Sequence, residues 1–143
     1  MAGFMKNITL VSQSAALYRE QNLKVEGITG YQAKYLLAIL KEEGISQDKL
    51  AKSLFVNKSN VARQLSLLEN GGYVKRVQSE DDKRAMQVYL TDSGRELCVK
   101  IREINTRWRQ VVLDGFSEEE TDIICALLER MVDNAKGYME KVL

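Results

Sequence analysis

A chain of 143 residues, 45% apolar and 29% charged, has the composition of an ordinary soluble protein and a length that suits one domain with a sizeable core. No stretch approaches the roughly 20 uninterrupted apolar residues that span a bilayer, and Met1 to Lys6 show no apolar segment ending in a cleavage site, so a membrane or secreted protein is not expected and a cytoplasmic one is. The net charge is only +1 but is unevenly spread: residues 46–91 hold eight basic against five acidic side chains, residues 92–143 eight against eleven. From Lys49 to Arg76, six basic residues meet a single acid, Glu69. A basic centre between neutral or acidic flanks suits contact with a polyanion, although a solvated surface has the same look.

In chain order, a first helix is expected from about Phe4 to Leu23, with Ile8, Val11, Ala15 and Tyr18 on one stripe and Leu10, Ala16 and Leu17 widening it. Thr29-Gly30-Tyr31-Gln32 has the spacing of a capping box and opens a second helix, whose buried face is Ala33, Leu36, Leu37 and Leu40. Ser46 caps a third helix of about two turns, with Leu50, Ala51 and Leu54 inward. Phe55-Val56-Asn57 breaks it, and Asn57 caps a fourth in which Val61, Leu65 and Leu68 share one face. Asn70-Gly71-Gly72 ends that helix.

Two alternating runs follow, Tyr73 to Gln78 and Ala85 to Thr91, joined by the polar tip Ser79-Glu80-Asp81-Asp82-Lys83-Arg84. Thr91 or Asp92 caps a long helix in which Leu97, Ile101, Ile104, Trp108 and Val111 keep near-heptad spacing. Ser117-Glu118-Glu119-Glu120 is a second capping box, opening a last helix with an apolar face from Ile124 through Leu127, Leu128, Met131, Ala135 and Tyr138 to Val142. Terminal helices this apolar require something to cover them, and two copies packing together would supply it.

Helix, turn, helix, hairpin is the order of a winged helix-turn-helix. The fold class expected is therefore mainly α with a small β-hairpin wing: one domain over 1–143, with a DNA-binding lobe at about 29–91 and dimerisation helices at about 4–23 and 92–143. In the fourth helix, the recognition helix, Ser59, Asn60, Arg63 and Gln64 have the donors and acceptors that read base edges in a major groove, Arg63 matching guanine and Asn60 or Gln64 adenine, while Lys58 beside them suits a phosphate. Ser46, Gln47, Lys49 and Lys75 are the backbone-contact candidates, with Lys52 a further cation. At the hairpin tip Lys83 and Arg84 suit a minor groove, with Asp82 turned back to orient Arg84 rather than to face phosphate.

The run Asn57-Lys58-Ser59-Asn60-Val61-Ala62-Arg63-Gln64-Leu65, then Gly71-Gly72-Tyr73-Val74-Lys75-Arg76, Asp82-Lys83-Arg84 and Leu90-Thr91-Asp92-Ser93-Gly94, resembles the MarR family of bacterial transcriptional regulators. The resemblance extends over essentially the whole chain through the order of the helices. It implies a homodimer with interlocked terminal helices, two recognition helices in successive major grooves of a palindromic operator, and Arg84 in the minor groove. It also implies a site for a small aromatic effector between the lobe and the dimerisation helices, whose occupation releases a repressor from double-stranded DNA. Tyr18 and Trp108 are weak candidates for lining it, because aromatics on an apolar stripe more often serve the core.

Cys98 and Cys125 read as packing thiols, since the peroxide-sensing branch of that family carries its reactive cysteine in the first helix, where this chain has none. With no histidine and two distant cysteines, no metal site is expected. No cofactor and no enzymatic activity are expected, there being no phosphate loop or partnered nucleophile. The alternative function is a winged-helix protein-interaction module without DNA binding.

Overall fold

The computed structural model describes residues 3–142. Met1 and Ala2 of the N-terminal stretch, and Leu143 at the end of the 92–143 segment, lie outside the described residues. Helix α1 spans Phe4–Asn22, α2 Gln32–Lys41, strand β1 Ile45–Ser46, α3 Gln47–Leu54, α4 Lys58–Asn70, β2 Val74–Gln78, β3 Met86–Leu90, α5 Asp92–Val112 and α6 Glu118–Val142. The chain divides into two compact units, the first ending at Trp108 and the second starting at Arg109. Among the described residues no helix is long and apolar enough to cross a membrane.

Every expected helix and both hairpin strands form, and the local chemistry accounts for where they start. Ser46 Oγ accepts from the Lys49 amide at 3.1 Å, Asn57 Oδ1 from the Asn60 amide at 2.7 Å, and Thr91 Oγ1 from the Gly94 amide at 3.0 Å. Both capping boxes close: Thr29 with Gln32, and Ser117 with Glu120 at 3.1 Å in each direction. The second helix nevertheless begins later than expected, at Gln32, with Gly30 and Tyr31 in a turn. The Gly30 backbone lies so close to α1 that a β-carbon there would stand 2.0 Å from the Ala16 carbonyl oxygen.

One strand was not anticipated. Ile45–Ser46 pairs antiparallel with β3, Ile45 opposite Val88, giving the sheet order β1-β3-β2. Two residues carry too little periodicity to read as a strand, and only pairing reveals them. The hairpin register sets Val74 opposite Leu90 and Gln78 opposite Met86.

The core of the first unit joins Leu36 and Ile39 of α2, Leu50 of α3, Val61, Leu65 and Leu68 of α4, Val74, Val88 and Leu90 of the sheet, and Leu97, Ile101 and Ile104 of α5, all buried. Each such side chain contributes roughly 1.5–3 kcal/mol by leaving water. The three α4 residues fall at i, i+4 and i+7, so their burial fixes which face of that helix remains outside.

Two polar devices hold the hairpin to the helices. Arg76 of β2 donates to Glu69 Oε1 at 3.0 Å and Ser66 Oγ at 3.1 Å on α4, and to Gln47 Oε1 at 3.3 Å on α3, while its amide donates to Glu69 Oε2 at 3.1 Å. At the other end Thr91 N–H donates to the Tyr73 carbonyl at 3.0 Å and the Thr91 hydroxyl to the Gly72 carbonyl at 2.6 Å. Gly94 sits over Tyr73 with no room for a side chain, since a β-carbon would be 2.1 Å from the Tyr73 oxygen.

Gly94→Ala is therefore expected to lower unfolding stability by about 1–3 kcal/mol, as overpacking does, read from urea denaturation midpoints. Glu69 gives a pH signature. Its hydrogen bond to Arg76 holds the carboxyl below its ordinary value of 4.5, so the stabilisation is present above that value and lost as pH falls through the lowered one. The difference in Tm between the wild type and Glu69→Gln should be largest near neutral pH and shrink in acid.

Candidate nucleic-acid interface

The angle between α3 and α4 is set by a three-residue turn in which Phe55 adopts the left-handed conformation, φ 55°, and Asn57 re-enters extended backbone to cap α4. Asn57 Oδ1 also accepts from the Ser59 hydroxyl at 2.9 Å. Lys58, Ser59 and Arg63 are exposed, Asn60 and Gln64 half-buried. Asn57, Ser59, Asn60 and Arg63 border a depression of about 440 Å³ on the outer face.

The polar residues of α4 are not equally free. Arg63 Nη2 donates to Asn60 Oδ1 at 2.8 Å, which braces the guanidinium along the helix. Gln64 turns instead to the fold, its Oε1 accepting from Gln32 Nε2 at 3.0 Å. Among the backbone-contact candidates, the Ser46 hydroxyl caps α3, and the Gln47 amide oxygen is engaged by Arg76. Lys49 pairs with Glu42 at 2.6 Å and Lys58 with Asp48 at 3.3 Å. Exposed pairs of this kind are worth only about 0–1 kcal/mol, so either ammonium exchanges readily for a phosphate. Lys75 is exposed, its ammonium 5.9 Å from the centre of the Tyr89 ring, and Lys52 is exposed.

The wing tip is closed by Ser79 N–H to the Ala85 carbonyl and Ala85 N–H to the Asp82 carbonyl, each 2.9 Å. Asp82 does turn back, but it accepts from the Arg84 backbone amide at 3.0 Å rather than from the guanidinium. Asp82 thus shapes the turn and leaves the Arg84 side chain unengaged. Lys83 and Arg84 are exposed, and among the described residues neither enters an ion pair.

Arg76 counted toward the basic patch in the sequence, yet it is a half-buried structural cation bound to Glu69. The signal was present: Glu69 is the lone acid in the basic stretch, seven residues before it. Gln32, a capping residue by its spacing, is also the partner of Gln64.

An open cleft of about 670 Å³ lies between α1, α2 and α4, with Leu17, Tyr31, Lys34, Tyr35, Asn60 and Arg63 among its walls. Tyr18 and Trp108 are elsewhere, packed on each other with ring centres 5.2 Å apart. Cys98 is buried, its thiol against the Leu36 carbonyl and pushed up in pKa by burial, while Cys125 is half-buried. Among the described residues no group of three His, Cys, Asp or Glu side chains is placed to hold a metal ion.

Known proteins share this arrangement. The MarR family model matches residues 26–85. The chain is 33% identical over 104 residues to the HTH-type transcriptional regulator BilQ of Clostridioides difficile (strain CD3), covering 73% of this chain and 70% of that protein. It is 28% identical over 142 residues to the uncharacterized HTH-type transcriptional regulator YybA of Bacillus subtilis (strain 168), covering 99% and 95%. The crystal structure of a MarR transcriptional regulator from Methanosarcina mazei Go1 superposes with a TM-score of 0.91 at 27% identity, over 94% of this chain and 97% of that one. A capped α4 with a polar outer face, an arginine-tipped hairpin and these relatives together lead to one conclusion: the chain belongs to the MarR family of DNA-binding transcriptional regulators.

Proposed function

We propose that the protein is a homodimeric repressor that binds a palindromic operator in the cytoplasm and is released by a small aromatic effector. The observation that carries the reading is the pairing of a polar α4 face, braced at Arg63, with an exposed arginine on the wing whose side chain has no ion-pair partner among the described residues. Arg63, Asn60, Ser59 and Gln64 read base edges in the major groove, and Lys58 and Lys75 neutralise phosphates along with Ser46, Gln47 and Lys49. Lys83 and Arg84 enter the adjoining minor groove, with Asp82 holding the turn.

Dimerisation is supported by the apolar side chains left in water on the terminal helices. Ile8, Val11 and Leu17 of α1 are exposed, as are Leu127, Leu128, Met131 and Tyr138 of α6. Monomeric proteins rarely leave this many large apolar side chains uncovered along a single helix. A twofold dimer would bury it and present two α4 helices to one duplex.

The cleft beside α1 falls within the range of small-molecule sites and combines apolar and aromatic walls with Lys34 and Arg63. An aromatic anion bound there competes with DNA for Arg63, and release follows if the ligand prefers the geometry that cannot bind the operator.

Selection of bound duplexes from a random pool should recover an inverted repeat with half-sites about one helical turn apart. Absence of any saturable, sequence-preferring binding at every salt concentration would leave a protein-interaction module as the better account. Arg84→Ala should weaken operator binding about tenfold, with an unchanged melting curve. Arg63→Ala should relax preference at one base pair by roughly 1–3 kcal/mol, measured on operator variants, whereas an equal loss on every sequence would make it a phosphate contact. Leu128→Asp should convert a sedimenting dimer to monomer.

A further inference from the structure

The hydrogen bond between Gln32 and Gln64 has a direction that can be traced to a backbone atom. Thr29 N–H, a group that only donates, lies 2.9 Å from one end of the Gln32 carboxamide, which must therefore be Oε1. The other end, Nε2, only donates, and it lies 3.0 Å from Gln64, whose facing atom must be Oε1. The Gln64 amide nitrogen is left as the end available to a ligand. Gln32 is only 6% exposed, and its backbone N–H donates to Thr29 Oγ1 at 3.2 Å, closing the capping box around the carboxamide; flipping that carboxamide would set its Nε2 against the Thr29 N–H, donor against donor. The Thr29–Gln32 turn is tied to α1 in its turn, by Arg19 Nε donating to the Gly30 carbonyl at 3.3 Å and by the tight contact of Gly30 with Ala16.

We propose that Gln32, which itself touches no DNA, is a specificity-determining positioning residue: it locks the carboxamide polarity of Gln64, so that the recognition helix offers a donor at that position. A fixed N–H₂ matches an acceptor on a base edge, such as purine N7, guanine O6 or thymine O4, and discriminates against the cytosine amine. A glutamine free to flip would accept either pattern. The inference rests on the operator-binding reading above, with Gln64 in the major groove.

Gln32→Glu reverses the polarity while keeping the fold, because glutamate serves a capping box as well as glutamine does. The new carboxylate still accepts from Thr29 N–H but has nothing to donate, so Gln64 must turn its N–H₂ inward and its oxygen outward. The experiment is selection of bound duplexes from a random pool by four full-length proteins: wild type, Gln32→Glu, Gln64→Ala and the double variant. The expected result is a change of about tenfold or more at one base pair of each half-site, from an acceptor-bearing to a donor-bearing edge, in Gln32→Glu alone. Gln64→Ala should lose the preference at that base pair, and the double variant should differ from Gln64→Ala only by the general loss of affinity caused by the added negative charge.

An unchanged preferred base in Gln32→Glu, or the same change in the double variant, would overturn the proposal while leaving operator binding intact. If the wild type itself selects no sequence, the operator reading falls and takes the role in specificity with it. The polarity itself is checked without DNA by ¹⁵N spectra of the side-chain amides. Protection of the Gln64 N–H₂ from solvent exchange should be weak in the wild type and strong in Gln32→Glu, and the opposite order would refute the lock.

Discussion

The guanidinium of Arg76 is the group on which the geometry of the proposed interface depends. A cation left half-buried without partners is costly, and this one is satisfied by Glu69, Ser66 and Gln47, which belong to α4 and α3. The bonds run from a strand of the wing to both helices of the helix-turn-helix. Two-stranded ribbons are marginal on their own, and this anchor, with the short β1 strand on the far side of β3, makes the hairpin an extension of the helices. The wing therefore holds a defined position relative to α4. The arginine at its tip is thereby held at a fixed distance from α4, the helix proposed to read bases.

The opposite end of the hairpin is fixed by contact rather than by charge. Thr91 caps α5 through its oxygen and donates its proton to the Gly72 carbonyl, while Gly94 lets the first turn of α5 rest on the backbone at Tyr73. Glu43 adds a link by accepting from the Leu90 amide at 3.2 Å and from Arg95 at 2.8 Å. The run Leu90-Thr91-Asp92-Ser93-Gly94 thus has a physical content: a side-chain cap and a site where only glycine fits, placed where strand becomes helix. Movement of α5 would be felt at β3 with little slack.

Polar side chains on the outer face of α4 divide into those held and those free. Asn60 and Arg63 restrain each other, Gln64 is claimed by Gln32, and Lys58 and Lys49 are in exposed pairs that exchange cheaply for phosphate. Restraint before binding lowers the entropy lost when a side chain is ordered on a base edge. Lys83 and Arg84, exposed at the wing tip, carry no such restraint, and in the proposed complex their contribution is affinity through charge, with less demand on geometry.

Much of this was legible in the linear chain because it is local. Capping residues, the i, i+4, i+7 spacing of Val61, Leu65 and Leu68, and the alternation of Met86, Val88 and Leu90 act over a few residues, and so they located the helices, the hairpin and the outer face of α4. What only tertiary structure decided are the long-range pairings, because a polar side chain's partner 7 to 52 residues away leaves no periodicity to read. Arg76, one cation of the basic stretch, became a structural anchor, Ile45–Ser46 became a strand by finding β3, and Gln64 was joined to Gln32, 32 residues away. Composition and spacing specify which groups a chain can offer; burial and hydrogen-bond direction decide which of them remain on offer.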